Sequence, residues 1–116
     1  MRVKRKNLSF WSAAVVNAYR GFPEEIKDDG GYQLDRIQRG LDAEDCKPMQ
    51  TIGSGVYELR LSNIQNEYRV IYVAKLDDAV WVLHAFQKAT QKTGAKDIAL
   101  ARGRYKELLQ KMIKEK

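Results

Sequence analysis

A chain of 116 residues, 44% hydrophobic and 31% charged, has room for one core and the balance of a globular domain, not of a disordered or membrane-spanning segment. No run approaches the roughly 18–20 apolar residues that cross a bilayer. The single cysteine, Cys46, excludes an internal disulfide and points to a reducing cytoplasm. The net charge of +6 is uneven: residues 1–6 carry four basic and no acidic side chains, residues 7–83 eight and twelve, and residues 84–116 nine and three. A phosphate-rich partner would therefore meet the ends of the chain; the alternative is that a Lys-rich terminal helix is simply well solvated.

MRVKRKN followed by LSFWSAAVVNA has the outline of a signal peptide, but two serines and an asparagine interrupt it, and it reads instead as the opening of the domain. A short strand is expected within residues 2–10 at a sheet edge. Trp11, Val15, Ala18 and Phe22 recur at helical spacing, predicting a helix that opens at Ser12 and stops before Pro23. Pro23, Glu24 and Glu25 suit the start of a longer helix with Ile26, Gly30, Leu34, Ile37 and Leu41 on one stripe and Gly40 as its C-terminal cap. Gly30 and Gly31 either break that helix or let a neighbour come close. Residues 42–54 read as a loop.

From there the period changes to two. VYELRLS, EYRVIYVAK and AVWVLHAF are three strands whose short connections, NIQN and LDD, make them antiparallel neighbours. The middle one is apolar on both faces and should be covered on both. Ile98, Ala101, Tyr105, Leu108 and Met112 mark a last helix, with Asp97 or Thr93 as its cap. The expectation is one α+β domain over residues 1–116: N-terminal helices packed on a small antiparallel meander with an added N-terminal edge strand, then a C-terminal helix.

Cations within strands are informative because strands hold few. Arg60 and Arg69 are each either paired with a carboxylate or presented to a ligand, and Glu58, on the same face as Arg60, is its expected partner. His84, the lone histidine, reads either as a hydrogen-bonded core residue or as an acid–base group beside Lys88, Gln91 and Lys92, which suit phosphate. One histidine and one cysteine far apart assemble no zinc site, and GSG at 53–55 leads into a strand and not into a phosphate-binding helix. Metal-free, cofactor-free cleavage of RNA fits this equipment, because the substrate's own 2′-hydroxyl is the nucleophile and arginine forks suit the phosphorane.

GVYELRL, YRVIYVAK and VWVLHAFQKATQKTGAKDIALARGRYKEL, together with FPEEIKDDGGYQLDRIQRGL and KPMQTIGSG, resemble the phage-derived, HigB-like branch of the RelE/ParE toxin superfamily over most of residues 22–109. The resemblance implies helices on a curved antiparallel sheet, and the toxin of a type II toxin–antitoxin pair. It further implies a ribosome-dependent mRNA endonuclease, silenced by a helix-turn-helix antitoxin. It assigns Arg60, Arg69 and His84 to catalysis and Lys88 and Lys92 to RNA phosphate, beside which Gln91 and Thr93 are donors suited to phosphate by residue type. Ala89 replaces the second of two paired family lysines, leaving Lys88 more of the charge there. The same scaffold also supports a non-catalytic DNA gyrase inhibitor, and the order of elements fits a plain RNA-binding module.

Overall fold

The computed structural model describes residues 5–76, 78–88 and 93–114. In chain order the elements are β1 (Asn7–Phe10), α1 (Ala13–Arg20), α2 (Glu24–Gln38), β2 (Cys46–Pro48), β3 (Val56–Ser62), β4 (Glu67–Leu76), β5 (Ala79–Lys88) and α3 (Ala95–Lys114). The strands form one sheet in the order β1-β5-β4-β3-β2. The expected meander is its centre, β3-β4-β5, with both pairings antiparallel. The expected edge strand is β1, but it runs parallel to β5, so the sheet is mixed. Two helices and three strands separate β1 from β5, a connection long enough to return the chain in the same direction.

Alternation along β3 assigns the two faces. Leu59 and Leu61 join Val70, Tyr72, Val80 and Val82 beneath Val15 of α1 and Ile26, Leu34 and Ile37 of α2. Val56, Ile71, Val73 and Leu83 face Ala101, Tyr105 and Leu108 of α3. The middle strand is thus covered on both faces, buried from Tyr68 through Val73. Each such aliphatic side chain removed from water contributes about 1.5–3 kcal/mol. Tilted ring contacts from Phe10 to Tyr19, Phe22 and Tyr68 carry the first core up to the sheet.

Several local expectations change. Ser12 does precede α1, yet its hydroxyl makes no capping bond; the amides of Val15 and Val16 bond to its carbonyl instead. Pro23 is the N-cap of α2 and not its first helical residue. Gly30 stays inside the helix because a Cβ there would lie 2.6 Å from the Tyr19 hydroxyl oxygen: the close neighbour is a side chain. Gly40 ends α2 with φ +84°, the left-handed turn that glycine adopts at least cost. Leu41 falls past that turn and is 52% exposed, so it leaves the apolar stripe. The 42–54 loop contains β2, three residues that pair with β3 and end at Pro48, which offers no amide to a further strand.

Candidate functional site

The ladder registers put the sequence's chemistry on the α3 side of the sheet. Arg60 of β3 stands opposite Arg69 of β4, which stands opposite Phe86 of β5; one row away Glu58, Ile71 and His84 align, and on the other side Ser62, Glu67 and Lys88 align. β5 runs on through Lys88, so this lysine is held by a strand that extends past Phe86. Lys47 of β2 pairs in register with Glu58. The result is a groove of about 560 Å³ between the sheet and the start of α3, lined by Lys47, Glu58, Arg60, Lys88 and Thr93 among others. Gln91 and Lys92 lie outside the described residues.

The expected Arg60–Glu58 pair does not form. Arg60 Nε lies 3.6 Å from Asp45, both side chains being largely exposed, while Glu58 turns to Arg69. Arg69 is 1% exposed, and its Nε sits 3.4 Å from Glu58 Oε1. That approach is a charge contact without hydrogen-bond geometry, since Nε–H has no hydrogen-bond acceptor. Its two terminal nitrogens are engaged: Nη1 donates to the Tyr68 carbonyl at 3.0 Å and Nη2 to Glu67 Oε1 at 2.8 Å. Glu58, 3% exposed, also accepts a hydrogen bond from the Thr93 hydroxyl. Thr93 therefore ties the approach to α3 onto β3 and does not cap the helix. Arg60 and Arg69 share a face but differ in state: Arg60 is free to meet a ligand, and Arg69 is buried between two carboxylates.

His84 sits behind the groove and does not line it. Its Nε2 is 2.8 Å from Asp97 Oδ1, its Nδ1 is 3.4 Å from Arg104 Nη1, and its ring stacks on Phe86 at 4.8 Å. Arg104 in turn donates to the Leu83 carbonyl at 2.8 Å and lies over the Trp11 ring at 5.0 Å, a cation–π contact. Asp97, expected as a cap candidate, is thus the sheet's partner within the first turn of α3. Arg104 as donor leaves Nδ1 the acceptor and Nε2–H the donor to Asp97, the neutral tautomer.

Burial holds the His84 imidazole below its ordinary value of 6.5; Asp97 pulls the other way, and the nearby Arg104 charge adds to the lowering. The unfolded chain consequently takes up this proton first as pH falls. Stability from this group is complete above pH 6.5 and is lost as the pH drops toward the depressed folded value. The chain has one histidine, so wild-type Tm should begin to decline as the pH falls below 6.5, ahead of most carboxylates. That slope should be absent from His84→Gln; the same slope in the variant would assign it elsewhere.

Among the described residues, no group of three or more His, Cys, Asp or Glu is arranged to hold a metal ion, and no helix is long and apolar enough to cross a membrane. Sequence reasoning missed Lys47 as a groove residue and cast Glu58 only as a partner. Its signal was there: a carboxylate in the inward phase of a strand, two residues from an arginine on the same face.

No curated protein sequence matches the chain significantly. The sequence profile of the family described as phage-derived protein Gp49-like (DUF891), part of the RelE/HigB-type toxin group, matches residues 18–106. That span takes in α2, every strand except β1, and the groove with all its charged lining. The chain belongs to the Gp49-like family, whose character is that of the toxin in a toxin–antitoxin system with an antitoxin partner.

Proposed function

We propose that this protein is a HigB-like toxin: one domain over residues 1–116, acting in the cytoplasm as a metal-independent, ribosome-dependent mRNA endonuclease that inhibits translation. The observation that carries the reading is the groove, in which Lys47, Arg60 and Lys88 surround one inward carboxylate, Glu58. Three cations there would hold an RNA phosphate and offset the charge that grows on the phosphorane. Glu58 accepts the 2′-hydroxyl proton as the 2′-oxygen–phosphorus bond forms. The phosphorus–5′-oxygen bond breaks, leaving a cyclic phosphate and a 5′-hydroxyl protonated from solvent.

Arg69 contributes charge from beneath and orients Glu58. His84 contributes by holding the start of α3, and with it Thr93, against β3; direct acid or base work would require it to leave Asp97 or Arg104. Lys92 extends the phosphate contacts on the strength of the sequence resemblance, and Gln91 as an amide donor suited to phosphate. Primer extension on messenger RNA with and without ribosomes tests the reading. Cuts that appear only with ribosomes support it, whereas intact RNA combined with blocked DNA supercoiling would replace it with the gyrase inhibitor.

The proposed partner is a helix-turn-helix antitoxin with an acidic segment. On α3, Arg102 and Lys106 join Lys75 around a cleft of about 600 Å³ that includes Ile52, Leu76 and Leu109. Apolar anchors flanked by carboxylates would match both the floor and the rim. Raising salt from about 0.1 to 1 M shortens the screening length from ~10 to ~3 Å, so affinity should fall by about tenfold or more. Equal affinity at both salts would remove the electrostatic account.

A further inference from the structure

We propose that Glu67 occupies the phosphate position in the free protein, so that RNA enters the groove by exchanging with this carboxylate. The inference rests on the ribonuclease reading and identifies the residue that sets the affinity of its anion site. Glu67 opens β4 directly opposite Lys88, one row from the facing pair Arg60 and Arg69. Its Oε1 accepts from Arg69 Nη2 at 2.8 Å. A carboxylate and a phosphate offer the guanidinium fork similar oxygen geometry, so one can stand in for the other. Two cations that line the groove reach this spot: a hydrogen bond from Arg69, then the charge of Arg69, and more weakly Lys88 and Arg60, hold the Glu67 carboxyl below its usual range.

The two carboxylates on Arg69 are not equivalent. The Arg69 and Glu58 side chains are 2% and 4% exposed, whereas that of Glu67 is 54% exposed. When Glu67 swings into solvent, Arg69 keeps its charge contact with Glu58 and its bond to the Tyr68 carbonyl, and Nη2 becomes available to an incoming anion. Arg69 is then a fixed receptor, Glu58 its permanent counter-ion and Glu67 an exchangeable one. This also resolves why an arginine assigned to phosphate is buried in the free protein: its ligand position is already filled from within.

Binding of an oligoribonucleotide carrying 2′-O-methyl groups, which keeps the phosphates but lacks the nucleophile, tests the exchange, with inorganic phosphate as a second probe. Glu67→Gln should tighten both by about three- to fivefold, the range expected for removing one exposed competing charge. Glu24→Gln, which removes the same charge from α2 across the sheet, should leave both affinities unchanged. Unaltered or weaker binding by Glu67→Gln would make Glu67 a mere support of Arg69 and overturn the proposal.

Carbon-13 NMR of the wild-type Glu67 carboxyl gives a second readout. Saturating phosphate should return its titration to the ordinary glutamate range, and a titration indifferent to phosphate would equally overturn the exchange. The two readings fail separately. Tighter binding by Glu67→Gln without any RNA cleavage sinks the ribonuclease alone, and ribosome-dependent cleavage with no tightening sinks the exchange alone.

Discussion

Arg69→Met is expected to destabilise the protein by about 3–5 kcal/mol, because it strands the Glu58 carboxylate in the interior without its counter-charge. Glu58→Leu should also destabilise, but by less, because Arg69, which is 1% exposed, keeps Glu67 as a counter-charge at 2.8 Å. The double variant, with apolar side chains of similar volume in both places, should recover most of the loss: desolvation of the two charges offsets much of their mutual attraction. Urea or thermal unfolding of all four proteins reads the coupling directly, and Tm in Arg69→Met should fall on the order of 10 °C or more. Additive losses in the double variant would mean that the two groups do not form one unit. RNA cleavage should not return with stability in the double variant, since the groove then lacks both its carboxylate and the cation beneath it.

Arg60→Ala should show the reverse profile: cleavage on ribosomes reduced by about 10²–10³-fold, the cost typical of removing one donor that stabilises transition-state charge, with little change in folding. Among the described residues its ion pair is with Asp45 at 3.6 Å, and the two side chains are 43% and 64% exposed, so the lost contact is worth under about 1 kcal/mol. Single-turnover cleavage alongside a melting curve separates the two quantities. A melting temperature that falls in step with activity would show Arg60 to be structural, and full activity would remove it from the site. Lys88→Ala, one row along the same face, should have a milder effect expressed in binding, because an ammonium acts on phosphate as a point charge without the guanidinium fork.

These contrasting profiles follow from something the primary structure shows only in part. Arg60 and Arg69 look alike in sequence, each a cation in an alternating strand. What separates them is position in the sheet: β3 has only the three residues of β2 beyond it, so Arg60 reaches open groove, while β4 is the central strand and α3 covers its inward face. Glu58 pairs with Arg69 and not with its strand neighbour, because cross-strand register, not spacing along one chain, sets which side chains meet. Asp45, which replaces Glu58 beside Arg60, comes from the segment just before β2, where composition indicates only a loop.

His84 shows the same division. The letters around it, with lysines, glutamines and threonines, suit an exposed phosphate site, yet the imidazole is held between Asp97 and Arg104 of α3. Both partners lie more than a dozen residues away, on a helix whose docking angle no local pattern specifies. Thr93 belongs to that class too. Lys88 is the case where local reading and tertiary position agree: strand alternation puts it on the side of Phe86 and His84, and the groove lies there.

By itself, the sequence determined the alternation of helix and strand, the antiparallel centre of the sheet, the side of each strand that meets a core, and the family. The family follows from the motif resemblance; the other features follow from hydrophobic periodicity and turn chemistry, which act over a few residues and so are written locally. Only the tertiary structure decided that β1 is parallel, that β2 exists, and which carboxylate neutralises which arginine. It also decided that Glu67 stands where three cations converge. Such pairings depend on register and on helix packing across the sheet, distances that are short in space and long in sequence, and electrostatic energy falls with the former alone.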